Sequence, residues 1–246
     1  MTATSQAIVA RLRFAHRDVG PFPGWTNGGI IAGALAGLLD EATDAAIEVR
    51  IDRPVPTASD LEVVGDRNGV RLLAPGSDAG PLASARPVDT VPRAHGPIGA
   101  AVAATARQVV DPAAHPAPGC FVCGPMHDRG LNLQPGAIDG HDRLATLWRP
   151  PDGFADRDGC LPAPIVWAAL DCPAWYGATR GRPALLGTIV GRQYHPLRAG
   201  NPVVVSGWGI RHDGRKTWAG AAIHTADGHL VAAAESLWIH PKEHLQ

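Results

Sequence analysis

The chain has 246 residues, a length that suits one large domain or two small ones. Its 22 basic residues balance 23 acidic ones, so the net charge of -1 gives no electrostatic reason to expect nucleic acid or an acidic membrane as a partner. No apolar run approaches the roughly 20 residues of a membrane span. Four cysteines do not make a disulfide scaffold at this length, and residues 1–13 show no hydrophobic signal core, so we expect a folded cytoplasmic protein.

The first predicted element is a helix that begins at a glycine pair. Asn27-Gly28-Gly29 is followed by a small, apolar run from Ile30 to Leu39. Glycines at a helix start expose backbone N–H groups, which can hold an oxyanion. The same glycines could instead permit close helix packing or a turn.

A series of strands follows this helix. Apolar and polar residues alternate in each segment, and turn residues separate the segments, which is typical of an antiparallel meander. The predicted strands cover residues 47–54, 61–64, 70–73 and 82–88.

A proline-rich segment separates the two halves of the chain. It holds a predicted short helix, Ile98–Val110, with Pro97 before it and several prolines after it. We therefore predict an N-terminal unit over residues 1–90, a linker over 91–118 and a C-terminal unit over 119–246.

Cys120 and Cys123 open the second half in a Cys-x-x-Cys pattern. This pair could be half of a zinc site, with His115 or His127 as a nitrogen ligand. Cys160 and Cys172 lie far apart in the sequence and offer no second ligand pair, and no βαβ context supports a redox motif. The sequence favours a structural turn, without a metal.

A second helix carries an acid where the first helix has none. Pro162-Ala163-Pro164 precedes the apolar run Ile165–Leu170, and Asp171 follows it. A carboxylate about two turns along an apolar helix can position water or act as a base. Ala36 holds the equivalent place after Gly28. The first helix has the glycine pair but no acid, and the second has the acid but no glycine pair. The two helices side by side would therefore make one complete site.

Asp171 has an alternative interpretation. Asp171-Cys172-Pro173 could simply end the helix, because proline commonly follows helix termini. An acid at that end would oppose the helix macrodipole, which makes a purely stabilising role less attractive.

The second helix is also followed by strand patterns. They cover residues 189–196, 202–207, 216–224 and 230–239, with Asp-Gly turns before the third and fourth. Each half therefore reads as a helix followed by an antiparallel meander, which predicts an α+β fold.

Several of these motifs resemble one known family. The turn 119–125 and Gly130-Leu131-Asn132-Leu133 are similar to the opening turn and strand of hotdog-fold acyl-CoA thioesterase domains. Asn27-Gly28-Gly29 resembles their His-Gly-Gly helix start, with Asn in place of His. Residues 53–56 resemble the strand after that helix in the double-hotdog, type II group. The resemblance implies a double hotdog, with two helix-plus-antiparallel-sheet repeats fused in one chain.

The resemblance also implies an acyl-CoA or acyl-carrier thioester hydrolase with its site between the halves. Gly28 or Gly29 would donate N–H groups to the thioester carbonyl, and Asp171 would activate water or, less favourably, attack directly. Asn27 could orient water or substrate, and Thr188 is the candidate for the family's Thr or Ser. The family's Gln falls where this chain has Glu235-Ser236, which departs from the pattern. A thioester is the expected partner, homo-oligomers are compatible with the fold, and no cofactor is expected.

Two other functions remain open. A hotdog enoyl hydratase or dehydratase would use an Asp and His pair on a loop entering the helix, which is not evident here. A catalytically silent acyl-CoA-binding protein would fit the missing Gln and the altered turn 162–164. Arg192, Arg211, Arg215 and Lys216 could meet CoA phosphates or be ordinary solvated charges.

Overall fold

A computed structural model describes residues 7–40 and 45–242 of the chain. Its first half contains one helix and five strands, which are β1 (Ile8–Leu12), α1 (Gly28–Asp40), β2 (Ala46–Ile51), β3 (Leu61–Asp66), β4 (Gly69–Leu73) and β5 (Ala83–Val88). The strands predicted in this half correspond to β2 through β5.

The segment between the halves contains α2 (Ala100–Ala103). The second half contains β6 (Gly136–Ala137), β7 (Leu144–Trp148), α3 (Ala163–Thr179), β8 (Leu185–Gln193), β9 (Val203–Asp213), β10 (Lys216–Thr225) and β11 (Leu230–Ile239). Single 3-10 turns occur at His16–Asp18, Pro112–Ala114 and Asp152–Phe154. The predicted combination of helices and antiparallel strands is confirmed.

All the strands in the described part of the chain form one antiparallel sheet of 11 strands, in the order β1-β3-β4-β5-β2-β8-β11-β10-β9-β7-β6. The order repeats: β1-β3-β4-β5-β2 in the first half corresponds to β7-β9-β10-β11-β8 in the second, read in the opposite direction. The halves meet where β2 pairs with β8, from Ile47 opposite Gly191 to Arg50 opposite Thr188. This pairing makes the sheet continuous across the junction.

The helices α1 and α3 pack against the inner face of the sheet and against each other. Both are apolar around most of their circumference, as expected for helices buried on several sides. Trp167 of α3 lies on Gly191 of β8, where a Cβ atom would stand only 2.8 Å from the ring. Among the helices of the described residues, none is long and apolar enough to cross a membrane.

Two predicted elements differ from the structure. The helix expected over Ile98–Val110 is reduced to α2, because Arg107 is extended and exchanges two backbone hydrogen bonds with Ala137, at 2.8 and 2.7 Å. The strand expected over residues 130–133 does not form as a regular strand. Asn132 has a left-handed φ of 48°, which interrupts the extended backbone.

The segment between the halves covers the outer face of the second half's sheet. The backbone N–H of Arg93 donates to Glu235 over 3.0 Å, and the ring of His95 meets Trp208 edge-on with centroids 4.6 Å apart. Glu235 therefore faces away from α1 and α3.

Candidate active site

The site lies where α1 and α3 cross, and glycines of α1 permit the close approach. A Cβ atom on Gly29 would lie 2.6 Å from the Cα of Ala168 and 2.7 Å from the Cβ of Asp171. One turn later, a Cβ atom on Gly33 would overlap the backbone of Ala163. The packing role considered for the glycines is thus present, and it brings the start of α1 onto the middle of α3.

Asp171 is held by the N-terminus of α1. The backbone N–H of Gly29 donates to Oδ2 of Asp171 over 2.9 Å, and the side chain is only 2% exposed. Its other oxygen, Oδ1, is one of two buried side-chain polar atoms in the described residues that have no hydrogen-bond partner. A buried carboxylate oxygen without a donor is costly, so this oxygen is a candidate for contact with a water molecule or a ligand.

Burial raises the pKa of Asp171 to about 7. The hydrogen bond from Gly29 acts in the opposite direction, as does the nearby amide of Asn27, while the neighbouring Cys120 raises the pKa further. A carboxyl group with a pKa near neutrality is well matched to general-base chemistry.

Asp171 does not end its helix, so that alternative is wrong. The helix α3 continues through Pro173 to Thr179 and ends where Arg180 adopts a left-handed φ of 53°. The buried surroundings of the helix on both sides of Pro173 outweigh the usual tendency of proline to terminate it. Asp171 therefore lies in mid-helix, away from the unsatisfied carbonyls of the C-terminus.

Asn27 caps α1 and faces two cysteines. Its Oδ1 accepts a hydrogen bond from the N–H of Ile30 over 3.1 Å, which fixes the orientation of the amide. The Nδ2 group then points to the sulfurs of Cys120 and Cys172, at 3.8 and 3.9 Å. The cap could have been predicted, because Asn is among the residues preferred immediately before a helix.

Gly28 offers the accessible donor of the site. It is half-buried, and its N–H has no hydrogen-bond partner within residues 7–40 and 45–242. Leu186 and Ile51 flank it, and a Cβ atom on Gly28 would lie 2.8 Å from the Cδ2 of Leu186. Because Asp171 occupies the Gly29 N–H, the two glycines have separate tasks.

Thr188 is not brought next to Asp171. Its partners on the neighbouring strands are Leu237 and Arg50. It points to the same side of the sheet as Val190, which pairs with Glu235, and that side is the outer face. Ser236, by contrast, shares the inner face, is 4% exposed, and accepts a hydrogen bond from Trp238 over 2.8 Å. The predicted participation of Thr188 therefore has no supporting contact.

A cluster of three cysteines adjoins Asp171. Cys120, Cys123 and Cys172 are all buried, and their sulfurs lie within 4.8 Å of one another. The sequence pattern indicated only the first two, because nothing local in the sequence shows that α3 places Cys172 beside them.

The two histidines considered as partners of the cysteine pair do not join the cluster. His115 accepts from the N–H of Ala117 through Nδ1 and pairs with the hydroxyl of Tyr176 through Nε2. His127 uses its two nitrogens on the backbone of Arg17 and Arg129.

The architecture matches solved structures over the full length of the chain. A protein assigned as a thioesterase from Novosphingobium aromaticivorans is 14% identical with a TM-score of 0.60, over 98% of this chain and 100% of its own. The tesB protein of Mycobacterium avium subs paratuberculosis is 16% identical with a TM-score of 0.59, over 97% and 96%. A protein assigned as a thioesterase II from Thermobifida fusca is 14% identical with a TM-score of 0.58, over 98% and 96%.

The chain has the fold of these thioesterases. At such low identity the likeness defines the fold and not the reaction. No protein-family model matches the sequence, and no curated protein matches it either.

Within this thioesterase fold, basic residues lie at the same end of the sheet as Gly28. Lys216, in the β9–β10 hairpin, pairs with Ile239 of β11, and Ile239 pairs in turn with Leu185 of β8. Leu185 is next to Leu186, which flanks Gly28. The guanidinium of Arg211 in that hairpin lies over Trp218, 3.1 Å from the ring centroid.

Proposed function

We propose that this protein hydrolyses a thioester, with Asp171 activating water and Gly28 stabilising the oxyanion. The observation that carries the proposal is the buried carboxylate of Asp171, which the N-terminus of the opposite helix holds through one oxygen while the other oxygen has no partner. We further propose that the two halves, which share one strand order, form a double hotdog with the site between them.

The reaction needs one base and one oxyanion donor. Oδ1 of Asp171 takes a proton from water as the water oxygen attacks the thioester carbonyl carbon. The carbonyl oxygen becomes negative and accepts from the Gly28 N–H at the positive end of α1. The intermediate then collapses, the C–S bond breaks, and the leaving thiolate receives the proton from Asp171. One preorganised oxyanion donor typically contributes about 3 kcal/mol to barrier lowering.

The role of Gly29 in this proposal is to position the base. Its N–H fixes Oδ2, so the carboxylate presents Oδ1 in one orientation. Preorganisation of this kind increases the rate because no reorientation is needed during the reaction.

For the substrate, we propose an acyl-CoA or an acyl-carrier thioester. The charged hairpin that includes Arg211, Arg215 and Lys216 lies at the end of the sheet near Gly28, where the phosphates of CoA could be met. The chemistry of a thioester carbonyl is the same for both carriers, so a comparison of CoA and carrier-bound substrates distinguishes them.

The test is thiol release from short, long and aromatic acyl-CoAs by the wild type and by Asp171→Asn. We expect the variant to lose at least about 100-fold in kcat while it still binds substrate, because the amide cannot act as the base. Asp139→Asn is the control, since Asp139 is exposed and forms a surface ion pair with Arg107.

Each other outcome has a definite meaning. Equal turnover by the wild type and Asp171→Asn would remove Asp171 from the mechanism. Saturable binding of acyl-CoA without thiol release would favour the silent binding protein. Hydration of an enoyl-CoA would favour the hydratase, although no histidine among the described residues donates a hydrogen bond to Asp171.

A further inference from the structure

The turn that carries Cys120 and Cys123 is shaped by Gly124. The N–H of Gly124 donates to the carbonyl of Cys120 over 2.8 Å, and a Cβ atom on this glycine would overlap the backbone of Pro118 and Cys120. Only a glycine permits a turn this tight. The turn brings the sulfurs of the two cysteines close together.

The third sulfur comes from a different element, α3. The sulfurs of Cys120 and Cys172 are 3.9 Å apart, and all three sulfurs of the cluster lie within 4.8 Å of one another. Tetrahedral zinc with Zn–S bonds of about 2.3 Å requires sulfurs about 3.8 Å apart. The cluster therefore needs only small side-chain adjustments to hold a zinc ion.

The surroundings of the sulfurs are polar on one side. The Nδ2 of Asn27 is directed at two of the sulfurs, at 3.8 and 3.9 Å, and its orientation is fixed because Oδ1 caps α1. Thiols packed simply as small apolar groups require no such donor. Around metal-bound thiolates, by contrast, donors of this kind tune and orient the ligands.

The residue before Cys172 in the chain carries a buried oxygen without a hydrogen-bond partner among the described residues. Asp171 is the neighbour of Cys172 in the chain, and its buried Oδ1 accepts no hydrogen bond in the described part of the protein. Three sulfurs leave one position of a tetrahedral ion, and a water molecule would complete it, so Oδ1 of Asp171 is not needed as a ligand.

We propose that Cys120, Cys123 and Cys172 form a binding site for a zinc ion. Thiolate ligands in a closed geometry select zinc among the common divalent ions. The ion would replace the thiol protons and join the turn at the start of the second half to the helix that carries Asp171. The inference goes beyond the proposed hydrolysis and does not depend on it.

The experiment uses the full chain, stripped of metal with a chelator and titrated with Co²⁺ and then Zn²⁺. We expect one equivalent to bind, with the intense sulfur-to-cobalt charge-transfer absorption of thiolate ligands, and Zn²⁺ to displace the cobalt. Cys123→Ser and Cys172→Ser should each weaken binding at least 100-fold. Cys160→Ser is the matched control, because the fourth cysteine lies outside the cluster.

Thermal unfolding with and without Zn²⁺ gives a second measurement. Zinc should raise the Tm of the wild type and of Cys160→Ser but not that of Cys172→Ser, because a ligand of the folded state stabilises it. If a serine variant does not fold, the cobalt spectrum of the wild type still tests whether thiolates bind the metal. A spectrum without thiolate absorption, or equal zinc binding by the wild type and Cys123→Ser, would overturn the site. Because neither measurement uses a thioester, failure of the proposed hydrolysis leaves this test intact.

Discussion

The backbone N–H of Gly29 donates a hydrogen bond to Oδ2 of Asp171 over 2.9 Å, although 142 residues separate them in the chain. The bond joins the N-terminus of α1 to the middle of α3. It places a carboxylate at the positive end of a helix dipole, where negative charge is favoured, and so offsets part of the cost of burying that carboxylate.

Gly29→Ala should disrupt both the helix crossing and the position of Asp171. The new methyl group would lie 2.6 Å from Ala168 and 2.7 Å from Asp171, and overpacking of this kind costs about 1–3 kcal/mol. We expect a lower free energy of unfolding in urea and a lower kcat for thiol release. Gly37→Ala is the matched control on the same helix. Its methyl group would meet Ala163 at an ordinary 3.4 Å, so stability should stay the same or rise. Equal loss in both variants would mean that α1 tolerates no side chain on this face at all.

Thr188→Val should leave kcat for thiol release within about twofold of the wild type. The register places Thr188 on the outer face of the sheet with Leu237 and Arg50, and a surface substitution of this kind usually changes stability by no more than about 0.5 kcal/mol. A large fall in kcat with an unchanged melting temperature would restore the prediction made for Thr188 from the sequence.

Two substitutions can separate the roles of Asn27 as the cap of α1 and as an amide donor to the cysteine sulfurs. Asn27→Ala removes the cap of α1 and should lower the free energy of unfolding by about 1 kcal/mol. Asn27→Ser keeps an oxygen that can cap the helix but removes the amide donor to Cys120 and Cys172. Chemical denaturation should therefore distinguish the two variants, while zinc affinity should fall in both. Retained affinity in Asn27→Ser would show that the amide does not support the sulfurs.

The stability of the protein should depend on the titration of His224. Burial, and then the charge of Arg143, lower the pKa of this histidine below its ordinary value of 6.5. The unfolded chain therefore binds a proton more readily than the folded one as the pH falls below about 6.5, and stability declines there. His224→Gln should reduce the fall in unfolding free energy between pH 7 and pH 5. His141→Gln, at an exposed histidine, is the control, and an identical fall in wild type and His224→Gln would contradict the assignment.

The strands β2 to β5 and β8 to β11 could be predicted from the sequence because alternation and Asp-Gly turns are local properties, whereas β1, β6 and β7 were not predicted. The faces of the strands were harder to predict. A register shift between Leu237 and Trp238 in the pairing of β11 with β8 alters which residues point inward next to Thr188. A shift of this kind leaves no trace in hydrophobic periodicity.

For two helices the local sequence pattern indicates a length that differs from the structure, too long in one case and too short in the other. The prolines on either side of residues 98–110 indicate a short helix over the whole segment, but Arg107 leaves the helix to pair with the backbone of Ala137, a contact that the local sequence does not reveal. Pro173 indicates an end to α3, yet tertiary burial carries the helix on to Thr179. The convergence of Cys172 with Cys120 likewise depends on the packing of distant segments.

The crossing of α1 and α3 also has a consequence for stoichiometry. A pair of identical subunits related by a twofold axis would carry two equivalent sites. Here Ala36 of α1 stands at the position equivalent to Asp171 of α3. Pro164 of α3 stands at the position equivalent to Gly29 of α1, and it packs against Gly33. The second location is filled by helix backbone, so each chain should titrate with a single equivalent of a substrate analogue. Saturation should follow a simple hyperbola, because Ala36 and Pro164 supply neither a carboxylate nor a backbone N–H at the equivalent positions.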